Sequence, residues 1–108
     1  MKIVYSQEYA RKITELRKYL ERQFGTEARK KVMDEINGRI YSLKKYQKPG
    51  MSVRELFGID SDYYVIYVAK NYIFYRIDGD LLKVDGIYNE REDFMRRMFH
   101  IFSDQTEV

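Results

Sequence analysis

The spacing of apolar residues changes once along this chain, at Lys48-Pro49-Gly50, and that change divides what it can build. Before it, Tyr9, Ile13, Leu16, Leu20 and Phe24 recur at intervals of four, three, four and four, the period of one helical face. Ser6 is placed to cap that helix and Gly25 to end it. Thr26 is a good N-cap for a second helix, with Ala28, Val32, Ile36, Ile40 and Leu43 on one face. Two amphipathic helices joined by so tight a corner form an antiparallel hairpin. Gly38, inside the second helix, costs about 1 kcal/mol relative to alanine, and is expected to mark close packing against the first. A short strand at residues 2–5 precedes the hairpin.

After Pro49 the period becomes that of strands. Residues 52–57, 63–69, 72–78 and 81–88 are expected as strands of a meander, with two-residue turns at Lys70-Asn71 and Gly79-Asp80. The first turn pairs Ala69 with Tyr72, Tyr67 with Phe74 and Val65 with Arg76. The second pairs Arg76 with Lys83, Phe74 with Asp85 and Tyr72 with Ile87. These registers sort the side chains into two faces. One holds Tyr64, Ile66, Val68, Ile73, Tyr75, Ile77, Leu82 and Val84 and should pack on the hairpin. The other holds Tyr63, Val65, Tyr67, Tyr72, Phe74, Arg76, Lys83 and Asp85, and is expected to be exposed as a binding surface. A helix from about Glu90 to Phe102 and a frayed tail at 103–108 close the chain. The fold class is therefore α+β, in a single domain over residues 1–108.

Composition removes several functions. The chain has no cysteine and one histidine, His100, so neither a disulfide framework nor a thiolate or histidine-rich metal site can form. No apolar run approaches the roughly 20 residues of a membrane span. The opening Met1-Lys2-Ile3-Val4-Tyr5 runs directly into strand-like sequence and charged helix, unlike a secretion signal, so a cytoplasmic setting is expected. No nucleophile triad or glycine-rich phosphate loop is present. With 20 basic residues against 17 acidic ones, the net charge of +3 argues against a plain RNA-binding domain. Arg76 and Lys83, like charges on paired strands, are expected to be relieved either by a partner's anion or by Asp78, Asp85 or Glu55 in a surface network.

Three segments occur in a fixed order within this frame: Val53-Arg54-Glu55-Leu56-Phe57; Lys70-Asn71-Tyr72-Ile73-Phe74-Tyr75-Arg76-Ile77-Asp78-Gly79-Asp80; and Gly86-Ile87-Tyr88-Asn89-Glu90-Arg91-Glu92-Asp93-Phe94-Met95. In this arrangement the chain resembles the RelE/ParE toxin superfamily from Tyr5 to about Phe102. The resemblance implies an RelE-like fold: an N-terminal strand and helical hairpin packed on a twisted antiparallel sheet, with a short C-terminal helix. It implies the toxin component of a type II toxin–antitoxin system, of the plasmid-stabilisation kind, held silent by a cognate antitoxin in a hetero-oligomer. ParE-like members inhibit growth through DNA gyrase, and RelE-like members act as mRNA interferases on the ribosome; a non-toxic binding module of the same fold is the alternative. No cofactor and no metal are implied.

Metal-independent RNA cleavage needs the 2′-OH activated, the leaving oxygen protonated and the phosphorane charge neutralised. The resemblance assigns that chemistry to Arg76, Lys83 and Arg91 with Tyr88 as the tyrosine, and assigns contact with target or antitoxin to Arg54, Tyr72 and Phe74. Two arginines usual in the RelE-like pattern are Tyr72 and Gly86 here. Their loss removes cations from the phosphate clamp, and the pattern fits ParE-like members better.

Overall fold

The computed structural model describes residues 1–46 and 50–92. Among them are five strands and three helices: β1 (Lys2–Tyr5), α1 (Gln7–Phe24), α2 (Thr26–Ser42), β2 (Met51–Ser52), α3 (Val53–Phe57), β3 (Tyr64–Val68), β4 (Asn71–Asp78) and β5 (Leu81–Asn89). Ser6 does two jobs at the first junction. Its Oγ accepts from the Tyr9 N–H at 3.0 Å, capping α1, and donates to the Asp85 carbonyl at 2.9 Å, tying the helix start to β5. At the hairpin corner Gly25 sits at φ +92° and donates to the Leu20 and Glu21 carbonyls. That glycine serves both helices, ending α1 and preceding α2. Thr26 is therefore the first helical residue rather than the N-cap, and its hydroxyl donates back to Glu21, which also receives Arg29 Nε at 2.6 Å. The expectation for Gly38 fails: a Cβ there would meet nothing within 4 Å. Close approach occurs instead at Gly50, where a Cβ would lie 2.7 Å from the Val65 carbonyl oxygen.

The sheet runs β1-β5-β4-β3-β2. It is mixed rather than purely antiparallel, because β1 returns beside β5 in parallel, Ile3 opposite Leu82. The expected meander forms, with two changes of register. The β3–β4 turn is Ala69-Lys70, both at positive φ (+52° and +65°), the backbone of a turn that follows the strand twist. The buried Asn71 donates through Nδ2 to the Ala69 carbonyl at 2.7 Å and holds this geometry without a glycine. The pairs are consequently Val68–Asn71, Tyr67–Tyr72 and Val65–Phe74, displaced by two residues from those the Lys70-Asn71 turn would give. A displacement of two leaves every side chain on its original face.

Between β4 and β5 the pair Arg76–Lys83 stands as expected. The ladder then shifts at Phe74/Tyr75, and Phe74 faces Gly86 and Tyr72 faces Tyr88 instead of Asp85 and Ile87. The extra residue, Asp85, is a β-bulge. It restores Ile87 to the core side, where it is buried with Ile73, Leu82, Val84 and the α2 residues Ile36 and Ile40.

The segment 52–57 departs most from the strand expectation. Only Met51 and Ser52 pair with β3; the chain then turns into α3. Ser52 Oγ accepts from the Glu55 N–H, Gly58 closes the helix in the left-handed region (φ +72°), and its N–H donates to Arg54 O. Val53 and Phe57, one turn apart, face the sheet. Val53, Val65, Phe74 and Tyr88 are buried as a second, smaller cluster, with Phe57, Ile59, Tyr63 and Tyr72 packed around it. The face expected to be exposed is thus largely covered. The C-terminal helix and tail expected after Glu90 fall mostly outside the described residues, and Glu90, Arg91 and Glu92 are in a turn or bend. No described helix is long and apolar enough to cross a membrane.

Candidate functional site: the outer sheet face and the hairpin groove

The outer face of β4 and β5 brings Arg76 and Lys83 side by side and supplies each with a carboxylate. Arg76 Nε lies 2.9 Å from Asp85 Oδ2, and Lys83 Nζ lies 2.9 Å from Asp78 Oδ2. The bulge at Asp85 aims its carboxylate outward, where it also accepts the Tyr63 hydroxyl at 2.8 Å. The hydrogen bond to Asp85 raises the pKa of Arg76, and that from Lys83 lowers that of Asp78. Burial, reinforced by the bond to Asp85, pushes Tyr63 up to about 12. Its phenol therefore stays protonated at neutral pH and acts as a fixed donor.

The other sequence-predicted residues are dispersed. Tyr88 is only 7% exposed, with Phe74 edge-on at 6.0 Å and the Lys12 ammonium 3.8 Å from its ring centre. Phe74 is completely buried, so its ring is packing for α3 and not a contact surface. Tyr72 is half-buried beside Tyr67, ring centres 5.2 Å apart. Arg54 projects from α3 and pairs with Asp60 at 2.6 Å. Arg91 lies beyond the end of β5, its backbone N–H held by Asn89 Oδ1 at 3.0 Å. Lys83 and Tyr88 face Arg76 and Tyr72, four residues apart on β4, which at about 3.3 Å per strand residue sets them roughly 13 Å apart along the sheet. The face thus holds one pair of neutralised cations near the β4–β5 turn, and an aromatic cluster toward the other end.

A second feature had no single motif to announce it. An open groove of about 870 Å³ runs between the hairpin and the far end of the sheet. Leu16, Leu20, Ala28, Val32 and Ile87 give it apolar walls, while Arg11, Glu15 and Glu35 add charge. At its sheet end Lys12 Nζ reaches the Glu92 carboxylate at 3.2 Å, and that carboxylate accepts the Asn89 N–H at 2.8 Å. Lys12 thereby joins α1 to the turn after β5 while lying over Tyr88. Tyr19 and Phe24, also at the groove, remain 47% and 64% exposed. The signal in the sequence was the α1 stripe itself, which continues to the exposed Phe24. Among the described residues no group of acidic side chains and histidines could hold a metal ion.

A helical hairpin on a five-stranded mixed sheet, with an apolar groove beside it, defines a small α+β protein. Residues 3–94 match the family described as the ParE toxin of the type II toxin–antitoxin system, parDE. The chain belongs to that family, and is a toxin component of a type II toxin–antitoxin system. A solved structure titled "Chromosomal ParDE TA system from P. aeruginosa" shares the fold, with a TM-score of 0.67 at 13% identity, over 82% of this chain and 95% of that one. No curated protein matches the sequence.

Proposed function

We propose that the chain arrests growth by gripping a protein target of the DNA gyrase type in the cytoplasm, and that its cognate antitoxin silences it by laying an amphipathic segment along the hairpin groove. The observation that carries the first part is the pairing of Arg76 with Asp85 and of Lys83 with Asp78. A phosphate clamp needs cations whose charge is available to the phosphorane, and here each faces a carboxylate within hydrogen-bond distance. Tyr72 and Gly86 stand where RelE-like members carry two more arginines. Binding a protein needs neither a clamp nor a proton relay. The groove supports the second part: its apolar walls and mixed charges suit a helix that orders on docking.

The test is induction of the chain alone in bacteria, followed by assays of plasmid supercoiling and of mRNA integrity. Growth arrest with loss of negative supercoiling and intact mRNA is expected, and Arg76→Ala should arrest growth as the parent does. Codon-positioned cleavage of mRNA on ribosomes, abolished by Arg76→Ala, would instead establish the endonuclease reading. Normal growth with the protein soluble and folded would overturn both.

A further inference from the structure

The net charge of +3 conceals a strongly uneven distribution. Residues 36–54 contain no carboxylate and five cations, Arg39, Lys44, Lys45, Lys48 and Arg54, in a chain that otherwise interleaves its charges. Three of these cations, Arg39, Lys44 and Lys45, are exposed at the C-terminal end of α2, and no ion pair among the described residues uses any of them. This contrasts with the outer sheet face and α3, where Arg76, Lys83 and Arg54 are all paired.

Two tyrosines share the patch. Tyr41 and Tyr46 are 65% and 62% exposed, the Lys44 ammonium lies 4.9 Å from the ring centre of Tyr41, and that of Lys45 lies 5.6 Å from that of Tyr46. Lysines at a helix C-terminus need no partner to be explained, because the helix dipole favours them there. The exposed rings are not explained that way. The backbone between them is anchored: Ile40 and Leu43 are buried, and the N–H groups of residues 43, 44 and 45 each donate three residues back to Ile40, Tyr41 and Ser42. Tyr41, Ser42, Lys44, Lys45 and Tyr46 together line a shallow concavity.

Flat aromatic faces beside cations that no described carboxylate neutralises match the chemistry of an unstacked base followed by its phosphate. We propose that the C-terminal end of α2 binds single-stranded nucleic acid without sequence preference, with bases stacked on Tyr41 and Tyr46 and phosphates held by Arg39, Lys44 and Lys45. An acidic peptide would satisfy the lysines and leave both rings facing water, so charge complementarity and ring exposure together favour the nucleic acid. The proposal is independent of the target proposed above, since it is measured on the toxin alone.

The experiment is fluorescence anisotropy of a labelled oligothymidylate of about 12 nucleotides titrated with the full chain. The wild-type protein should bind, with log K falling against log salt at a slope near −2, as three phosphate contacts at about 0.7 each require. Tyr41→Ala with Tyr46→Ala should weaken binding at least about tenfold, whereas the corresponding Phe pair should stay within about twofold, because stacking needs the ring and not the hydroxyl. Lys44→Glu with Lys45→Glu should abolish it. These side chains are exposed, and matching far-UV dichroism will verify the fold; should the Ala pair unfold, the Phe pair and the charge reversal decide. An oligouridylate should bind within a few-fold of the oligothymidylate. Absence of wild-type binding, unchanged affinity in the Ala pair, equal competition by polyglutamate, or a strong preference for the ribose form would each overturn the proposal.

Discussion

Phe74→Ala separates a binding face from a second core. Phe74 has no exposed surface and is enclosed with Val53, Val65 and Tyr88, the last edge-on at 6.0 Å and 71°. Truncating a buried phenylalanine typically costs about 3–5 kcal/mol through lost transfer energy and the cavity left behind. The edge-to-face contact with Tyr88 supplies about 0.5–1.5 kcal/mol within that total. Domains of this size are stable by roughly 5–15 kcal/mol, so about a fifth of the stability or more should go. At about 4–8 °C per kcal/mol, Tm should fall by at least about 12 °C. Urea unfolding followed by far-UV dichroism checks this: the midpoint should drop by about 1 M or more for a slope in the usual range of about 1–3 kcal/mol/M, with the slope itself unchanged. Tyr67→Ala serves as the comparison. Its ring is 47% exposed on the same face, and its removal should cost about 1 kcal/mol or less. A Phe74→Ala cost below about 1 kcal/mol would refute the reasoning, since α3 would then not seal the face and Phe74 would be available to a partner.

Two further perturbations probe the tyrosines and the turn. Burial raises the pKa of Tyr9 and brings Tyr63 and Tyr75 up to about 12, against an ordinary value near 10. Groups with folded-state values above their unfolded ones contribute stability that is complete below pH 10 and lost as pH rises through about 12. Stability should therefore decline across that window, and tyrosinate absorbance should show a late-titrating fraction that merges with the rest in urea. Lys70→Gly should stabilise the protein by roughly 0.5–1 kcal/mol, because Lys70 occupies φ +65° at a cost to any residue with a Cβ. Its backbone carbonyl still accepts from Glu90, and a lowered urea midpoint in this variant would contradict the turn geometry.

The parts of this molecule that the sequence exposes are those fixed by a period. The division of the sheet into two faces survives an error of two residues in register, because strand side chains alternate and a slip of two returns each to its own side. The hairpin stripe and the Ser6 cap are equally local. The segment at 52–57 was also legible, but in a different code. Valine, leucine and phenylalanine suggest a strand, yet Ser52 and Glu55 stand at capping-box spacing and Gly58 follows where a helix would stop. Weighting the caps above the propensities predicts α3, and with it the cover over Phe74. The bulge at Asp85 has no such local cause. It is held by groups far away in the chain: Ser6 on its carbonyl, Tyr63 and Arg76 on its carboxylate. The consequence reaches the functional reading, since the same carboxylate neutralises the arginine that the resemblance places at the phosphate. Whether a cation can act depends on which acid the tertiary fold turns toward it. Arg76 meets one, and Lys44 and Lys45, in a stretch of sequence that contains none, meet none among the described residues.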